Sequence, residues 1–265
     1  MIRGVAALAF VSALFGNAAA IDISTCNVTV PPGEVGVIQT DLSCMGAFVV
    51  ALERGATLDL NGHLISLDVN PASQQAVVQC NTRRCAVAGP GSLRCHQGPG
   101  NYSTGVGMPK GGRLDVTDAN ILLCDQGIWD MGSPGAKTRV YATDLRVLYS
   151  TFNGIEAEKL VATNLETHDN GFSGLAVEQV RGTNLVVNYN GDDGGHSGIT
   201  SFGGVVRVTG LVATGNARYG VEAKKVILDS STVTDNDVVD IVSVRFPRLI
   251  NVVCGTSNWG VCAND

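Results

Sequence analysis

At 265 residues the chain can bury one sizeable core, and 33 Gly against 8 Pro fit neither a collagen nor a proline-rich tail. Charged residues are only 16% and aromatics 5%, which excludes intrinsic disorder and leaves Val, Leu, Ile and Ala to fill the interior. The formal charge is −6, and no basic stripe is visible along the chain, so nucleic acid is not an expected partner.

The chain opens with Met1-Ile2-Arg3, an apolar run from Gly4 to Phe15, and the small residues Ala18-Ala19-Ala20. A basic start, a short apolar segment and small residues at a cleavage point predict a secretory signal over 1–20. The run is too short to span a bilayer, and no later segment is apolar for long enough, so no membrane span is expected. Without Arg3, 17 Lys and Arg face 24 Asp and Glu, a net charge of −7. The mature chain, 21–265, is then a single extracellular or periplasmic domain, since no linker or composition shift divides it. All eight cysteines follow the cleavage point: Cys26, Cys44, Cys80, Cys85, Cys95, Cys124, Cys254 and Cys262. An even count in an exported chain predicts disulfides. Cys26–Cys44 and Cys254–Cys262 are the natural local pairs, one at each end, while the pairing of the middle four stays open. Arg83-Arg84 between Cys80 and Cys85 is expected at the tip of a clamped hairpin. Asn27-Val28-Thr29 and Asn101-Tyr102-Ser103 are glycosylation sequons.

From about residue 104 the chain repeats. A Gly-aliphatic pair recurs at Gly105-Val106, Gly127-Ile128, Gly154-Ile155, Gly174-Leu175, Gly198-Ile199 and Gly220-Val221, then as Asp240-Ile241. A second series runs Leu145, Leu165, Leu185, Leu211, Val233, and Asn precedes several of the Gly residues at Asn170, Asn190, Asn216 and Asn236. Two series with one period of about 22 residues predict a solenoid of stacked coils, because one coil cannot bury its own apolar side. A sandwich of short strands gives no reason for such a period. Stacked Asn at a corner tolerates left-handed backbone and can bond to the Asn above and below. Residues 130–138 and 191–195 read as insertions in the turns. Segment 21–45 with Pro31-Pro32-Gly33 would cap the first coil, and Phe246, Pro247, Trp259 and the last cysteine pair the final one.

The stretch from Cys26 to Cys44, followed by Gly55-Ala56-Thr57-Leu58-Asp59-Leu60-Asn61-Gly62-His63-Leu64-Ile65-Ser66, resembles the opening of secreted right-handed parallel β-helix proteins. The later Asn-and-Gly-Ile coils are similar to those of pectate-lyase-like proteins and mannuronan epimerases. The resemblance covers nearly the whole mature chain. It implies an all-β, single-stranded right-handed parallel β-helix with disulfide-stapled ends, and a polysaccharide as partner. Asp59, Asn61 and His63 read as turn and capping residues of the first coil.

In a solenoid, residues one period apart become neighbours. The turns holding His168, Asp169 and Asn170, then Tyr189, Asn190, Asp192, Asp193 and His196, then Asn216, Arg218 and Tyr219 would share one lateral edge. Abstracting the proton beside a uronate carboxylate needs a base and something positive to hold the acid. His168, His196, Arg218 and Tyr219 are the expected catalytic residues, and Asp169, Asp192 and Asp193 could hold Ca²⁺ or orient the substrate. Trp129, Glu156, Tyr189, Asn190 and Lys224 are expected to contact glycan. Glu156 and Glu222 would stand three rungs apart, about 14 Å, too far for the carboxyl pair of a glycosidase. The sequence therefore predicts a secreted, monomeric protein acting on acidic glycan by elimination or epimerisation. The alternative is a non-catalytic extracellular β-helix that binds carbohydrate or serves structurally, its Asn, Asp, Gly and His simply serving the turns.

Overall fold

The computed structural model describes residues 20–68, 74–96, 102–131, 137–192 and 195–262, with only the backbone of Gln74 and Phe202. Residues 1–19 of the expected leader 1–20, Asn101 and Asp193 lie outside them, while Ala20 begins the first strand. The described residues form strands and turns without a helix, and every strand pairing is parallel. The chain winds into a β-solenoid of about nine turns with about 22 residues per turn.

Each coil contributes one strand to each of three parallel ladders. The first ladder runs from Ala20–Ile23 through Val35–Ile38 and Thr57–Asp59 to 84–88, 113–117, 139–143, 159–163, 179–183, 205–209, 225–229 and Arg248–Ile250. The second starts at Leu42–Met45 and Leu64–Asp68 and ends at Thr232–Thr234 and Val253–Cys254. The third starts at Val28–Val30 and Phe48–Leu52 and ends at Val239–Ser243. Neighbouring rungs are about 4.8 Å apart.

The apolar periodicity becomes columns. Val78, Val106, Ile128, Ile155, Leu175, Ile199, Val221 and Ile241 stack in register along the third ladder, all fully buried. Leu145, Leu165, Leu185 and Leu211 stack likewise along the second. Val233 does not continue that column. It pairs with Ala213, and Ser231 meets Leu211 instead, its Oγ accepting the Leu211 N–H at 3.0 Å. The coil is 20 residues long here, as Thr209 also pairs with Asp229, so a step of 22 from Leu211 overshoots its partner.

The corner between the second and third ladders is sealed by asparagine. Asn170 Nδ2 donates to Asn190 Oδ1 at 2.8 Å, Asn190 to Asn216 at 3.0 Å, and Asn216 to Asn236 at 2.8 Å. Each Oδ1 also accepts the backbone N–H one coil back, and each Nδ2 reaches a backbone carbonyl, so buried corner groups are satisfied. The Gly residues of four Gly-aliphatic pairs, Gly154, Gly174, Gly198 and Gly220, face this column. A Cβ on Gly198 would come within 2.7 Å of Asn216 Nδ2, and one on Gly174 within 2.9 Å of Asn190 Nδ2.

Disulfides join Cys26 to Cys44 and Cys254 to Cys262 at the two ends, and Cys80 to Cys85 and Cys95 to Cys124 between them. Arg83-Arg84 is not a hairpin tip. Cys80 ends a third-ladder strand and Cys85 lies in the next first-ladder strand, so the bridge closes a corner of the coil.

Candidate functional site

Sequence reasoning pointed to the corner between the second and third ladders, and the structure places most of its residues along it. His168 ends a second-ladder rung, with Asn188 as its register partner. Both ring nitrogens face carboxylates: Nδ1 lies 2.6 Å from Asp169 Oδ2 and Nε2 lies 3.2 Å from Glu166 Oε1. Glu166 is in turn held by Arg146 Nε at 2.7 Å. Arg146, Glu166, His168 and Asp169 thus form one polar chain across the outer face of the second ladder, with the Tyr149 ring edge-on to His168 at 5.7 Å. In this arrangement no His168 nitrogen is free to take a proton from a substrate.

His196 stands on the other side of the corner. It stacks on Phe172 with ring centroids 4.2 Å apart, Phe172 meets Phe152 at 5.1 Å, and Phe152 meets Tyr102 at 6.0 Å. The two histidines are therefore separated by the buried Asn170 turn. The Arg218 guanidinium lies over the Tyr219 ring at 4.6 Å. Tyr189 is exposed and lies over Gly215. Asn190 is wholly buried within the asparagine column, and its amide is committed there, so it offers nothing to a glycan. Asp192 is exposed. Phe152 and Phe172 were missed in the sequence, although each lies two residues before the Gly of its pair, where His196 lies in the next coil, and their spacing of 20 repeats that of Gly154 and Gly174.

On the third ladder Trp129 is half-buried, and the adjoining Ile128 and Ile155 are register partners, which brings Glu156 to the next rung. Burial pushes the Glu156 carboxyl up, with the charge of Asp130 adding to it and hydrogen bonds from Asn153 and Gln126 opposing. Asn153 Nδ2 donates to Glu156 Oε2 at 3.2 Å. Ala176 and Thr200 separate Glu156 from Glu222 in register, keeping the two acids three rungs apart. Lys224 is exposed at the next corner, away from His168.

A further electrostatic feature lies elsewhere, on the outer face of the first ladder. Arg84, Arg113, Arg139 and Lys159 stack in one outward column, which continues through Gln179 and Val205 to Lys225. In the neighbouring column Arg181 pairs with Arg207, and Ile227 with Arg248. Each of these eight successive rungs therefore carries one cation. Beside them Thr117, Thr143, Thr163, Thr183 and Thr209 form a hydroxyl ladder. Arg113 is neutralised by Asp115, at 2.7 Å, and lies over the Tyr141 ring. Among the described residues, the other seven cations take part in no ion pair. The expectation that the chain has no basic stripe is thus corrected: winding gathers cations that are scattered in sequence onto one face of a net acidic protein.

A groove of about 450 Å³ flanks this face at the next corner, lined by Asp118, Asp144, Asn164 and Asn184 together with Arg146 and Glu166. Burial and the nearby Asp144 charge raise the Asp118 carboxyl. Asn184 donates to Asn164 and Asn164 to Asp144, at 3.1 and 2.8 Å, a second, exposed corner column.

Among the described residues no group of three or more His, Cys, Asp and Glu is placed to hold a metal ion. Asp169 is engaged by His168, and with Asp192 it does not approach the six to eight oxygens calcium takes. Among the described residues no helix is long and apolar enough to cross a membrane. Comparisons with family models, curated proteins and solved structures find no match to this chain.

Proposed function

We propose that the protein is an extracellular β-solenoid that binds a linear acidic polysaccharide lengthwise on the outer face of its first ladder. One observation carries the reading: eight successive rungs each hold one cationic side chain. At about 4.8 Å per rung this track is about 34 Å long. The rung spacing is close to the length of one sugar in an extended chain, so a polyuronate meets about one cation per sugar along the track, except at Arg113, which Asp115 already neutralises. Arginine, which supplies most of the cations, binds carboxylates bidentately, and the threonine ladder offers hydroxyl partners to the sugar. A nucleic acid duplex fits less well, because its phosphates repeat every 3.4 Å along each strand. Net negative charge elsewhere on the protein is no obstacle when the cations are segregated.

A second reading adds chemistry: His196 and the Arg218–Tyr219 pair lie on successive coils on the third-ladder side of the corner, where Gly198 N donates to Tyr219 O, while Tyr149 and His168 meet on its other side. A base there would take the proton beside a uronate carboxylate. Expulsion of the glycosyl oxygen then completes an elimination, and return of a proton to the opposite face completes an epimerisation. For His168 to act, Glu166 would have to leave its ring for Arg146 alone. Calcium enters this reading only as a variable of the assay.

The test is a panel of polyuronates, their carboxyl-reduced neutral counterparts and single- and double-stranded nucleic acid. Retention of the polyuronates alone supports the proposal, and equal retention of the neutral polymers defeats it. Ultraviolet absorbance and proton NMR of the same samples, with and without calcium, decide the chemical reading.

A further inference from the structure

We propose that the last coil is a docking tip for the surface of an anionic lipid bilayer, a role carried by its exposed apolar side chains and sharing only its nearest cations with the glycan track. Twelve large hydrophobic side chains stand exposed among the described residues, and six of them fall between 238 and 259. Val244 and Phe246 are the most open of these, at 73% and 65%. Isolated exposed apolar residues need no explanation, but three of these gather. Phe246 meets Trp259 edge-on, ring centroids 5.7 Å apart, and Trp259 Nε1 donates to the carbonyl of Ser243, the residue before Val244, at 2.7 Å.

The projection is held outward. Ser243 Oγ donates to Arg245 O at 2.6 Å, Asn258 Nδ2 to Ser243 O at 2.9 Å, and Arg245 N to Lys224 O at 2.9 Å. Cys254–Cys262 closes the segment that carries Trp259. Rings fixed in this way cannot fold back to cover themselves. Lys224 is tied to Arg245 beside Val244 through its carbonyl, and Lys225 and Arg248, next along the chain, are the cations with which the basic track of the first ladder reaches this end. An aromatic and aliphatic point with a cationic collar matches the boundary of an anionic membrane, where rings enter the headgroup region and cations meet phosphate. A second copy docked tip to tip would instead set like collars against each other, which disfavours that occupant.

The Trp129→Phe background leaves Trp259 as the single tryptophan, since the chain has two. This protein is mixed with phosphatidylcholine vesicles with or without phosphatidylglycerol, and both emission and co-sedimentation are recorded. The proposal expects a blue shift and sedimentation only with the anionic lipid. Val244→Ser with Phe246→Ser should abolish the shift and weaken sedimentation about tenfold or more. Val244→Ser alone, at the more exposed site, should give a smaller loss with an unchanged thermal melt. An unshifted spectrum with anionic vesicles overturns the proposal. So does lipid binding that survives the double substitution, which would assign it to the lateral basic face. A self-associated species in light scattering that the double substitution disperses would make a second copy the occupant. None of these results touches retention of polyuronates, so the two proposals fail separately.

Discussion

The Asp240 carboxylate ends the asparagine column: its Oδ1 accepts from Asn236 Nδ2 at 2.7 Å and from Asn236 N at 3.2 Å. Asp240 stands where earlier coils carry Gly, and it is met from the following segment by Thr256 rather than by an Asn. Its Oδ2 accepts the backbone N–H groups of Gly255 and Thr256 at 2.9 and 2.8 Å, tying the last coil to the terminal cap. A residue that looks like an imperfect repeat is therefore a chain stop, with an acceptor in place of a space.

Asp240→Ala should destabilise the protein by about 3 kcal/mol, because it strands several buried donors at once. Urea denaturation measures it. A change within about 0.5 kcal/mol would mean that water or the cap satisfies those donors without the carboxylate.

Gly198→Ala should cost about 1–3 kcal/mol, since its Cβ would lie 2.7 Å from Asn216 Nδ2 and 2.9 Å from Gly220 O. The same denaturation experiment checks it. An Ala variant as stable as the parent would show that the column yields.

Much of the fold was legible in sequence, because the Gly-aliphatic pair and the Asn before it each repeat with the coil. The column from Val106 to Ile241 follows directly from that period. The slip at Val233 was not legible, since spacings of both 20 and 22 recur in the chain and put Val233 in either the Ala213 or the Leu211 column. The basic track was hidden for a related reason. Its cations pass from the column of Arg139 and Lys159 to that of Arg181 and Arg207, so no motif recurs around them. Turn residues such as His168 and His196 stand out in a sequence with four His, whereas their separation by the Asn170 turn appears only in three dimensions. The pairing of Cys80, Cys85, Cys95 and Cys124 likewise needed the coil geometry.

Glu156→Gln should stabilise the protein at neutral pH. The folded state keeps this proton at pH values where the unfolded chain has lost it, because burial, reinforced by Asp130, holds the carboxyl above its usual range. Stability attributable to Glu156 therefore falls as pH rises from about 4.3 through the raised folded value. Thermal melts across acidic to neutral pH should show the two proteins converging below about pH 4. A Gln variant that melts lower than the parent at neutral pH would contradict this sign.

The most direct measurement of the central claim is polyuronate affinity against salt concentration for the parent protein and for Arg181→Glu with Arg207→Glu. These side chains project into solvent from adjacent rungs, so the fold should tolerate both changes. The account predicts binding that weakens steadily with salt, and a loss of about tenfold or more in the variant, with a shallower salt dependence. Equal affinity in parent and variant, or parent binding indifferent to salt, would contradict it.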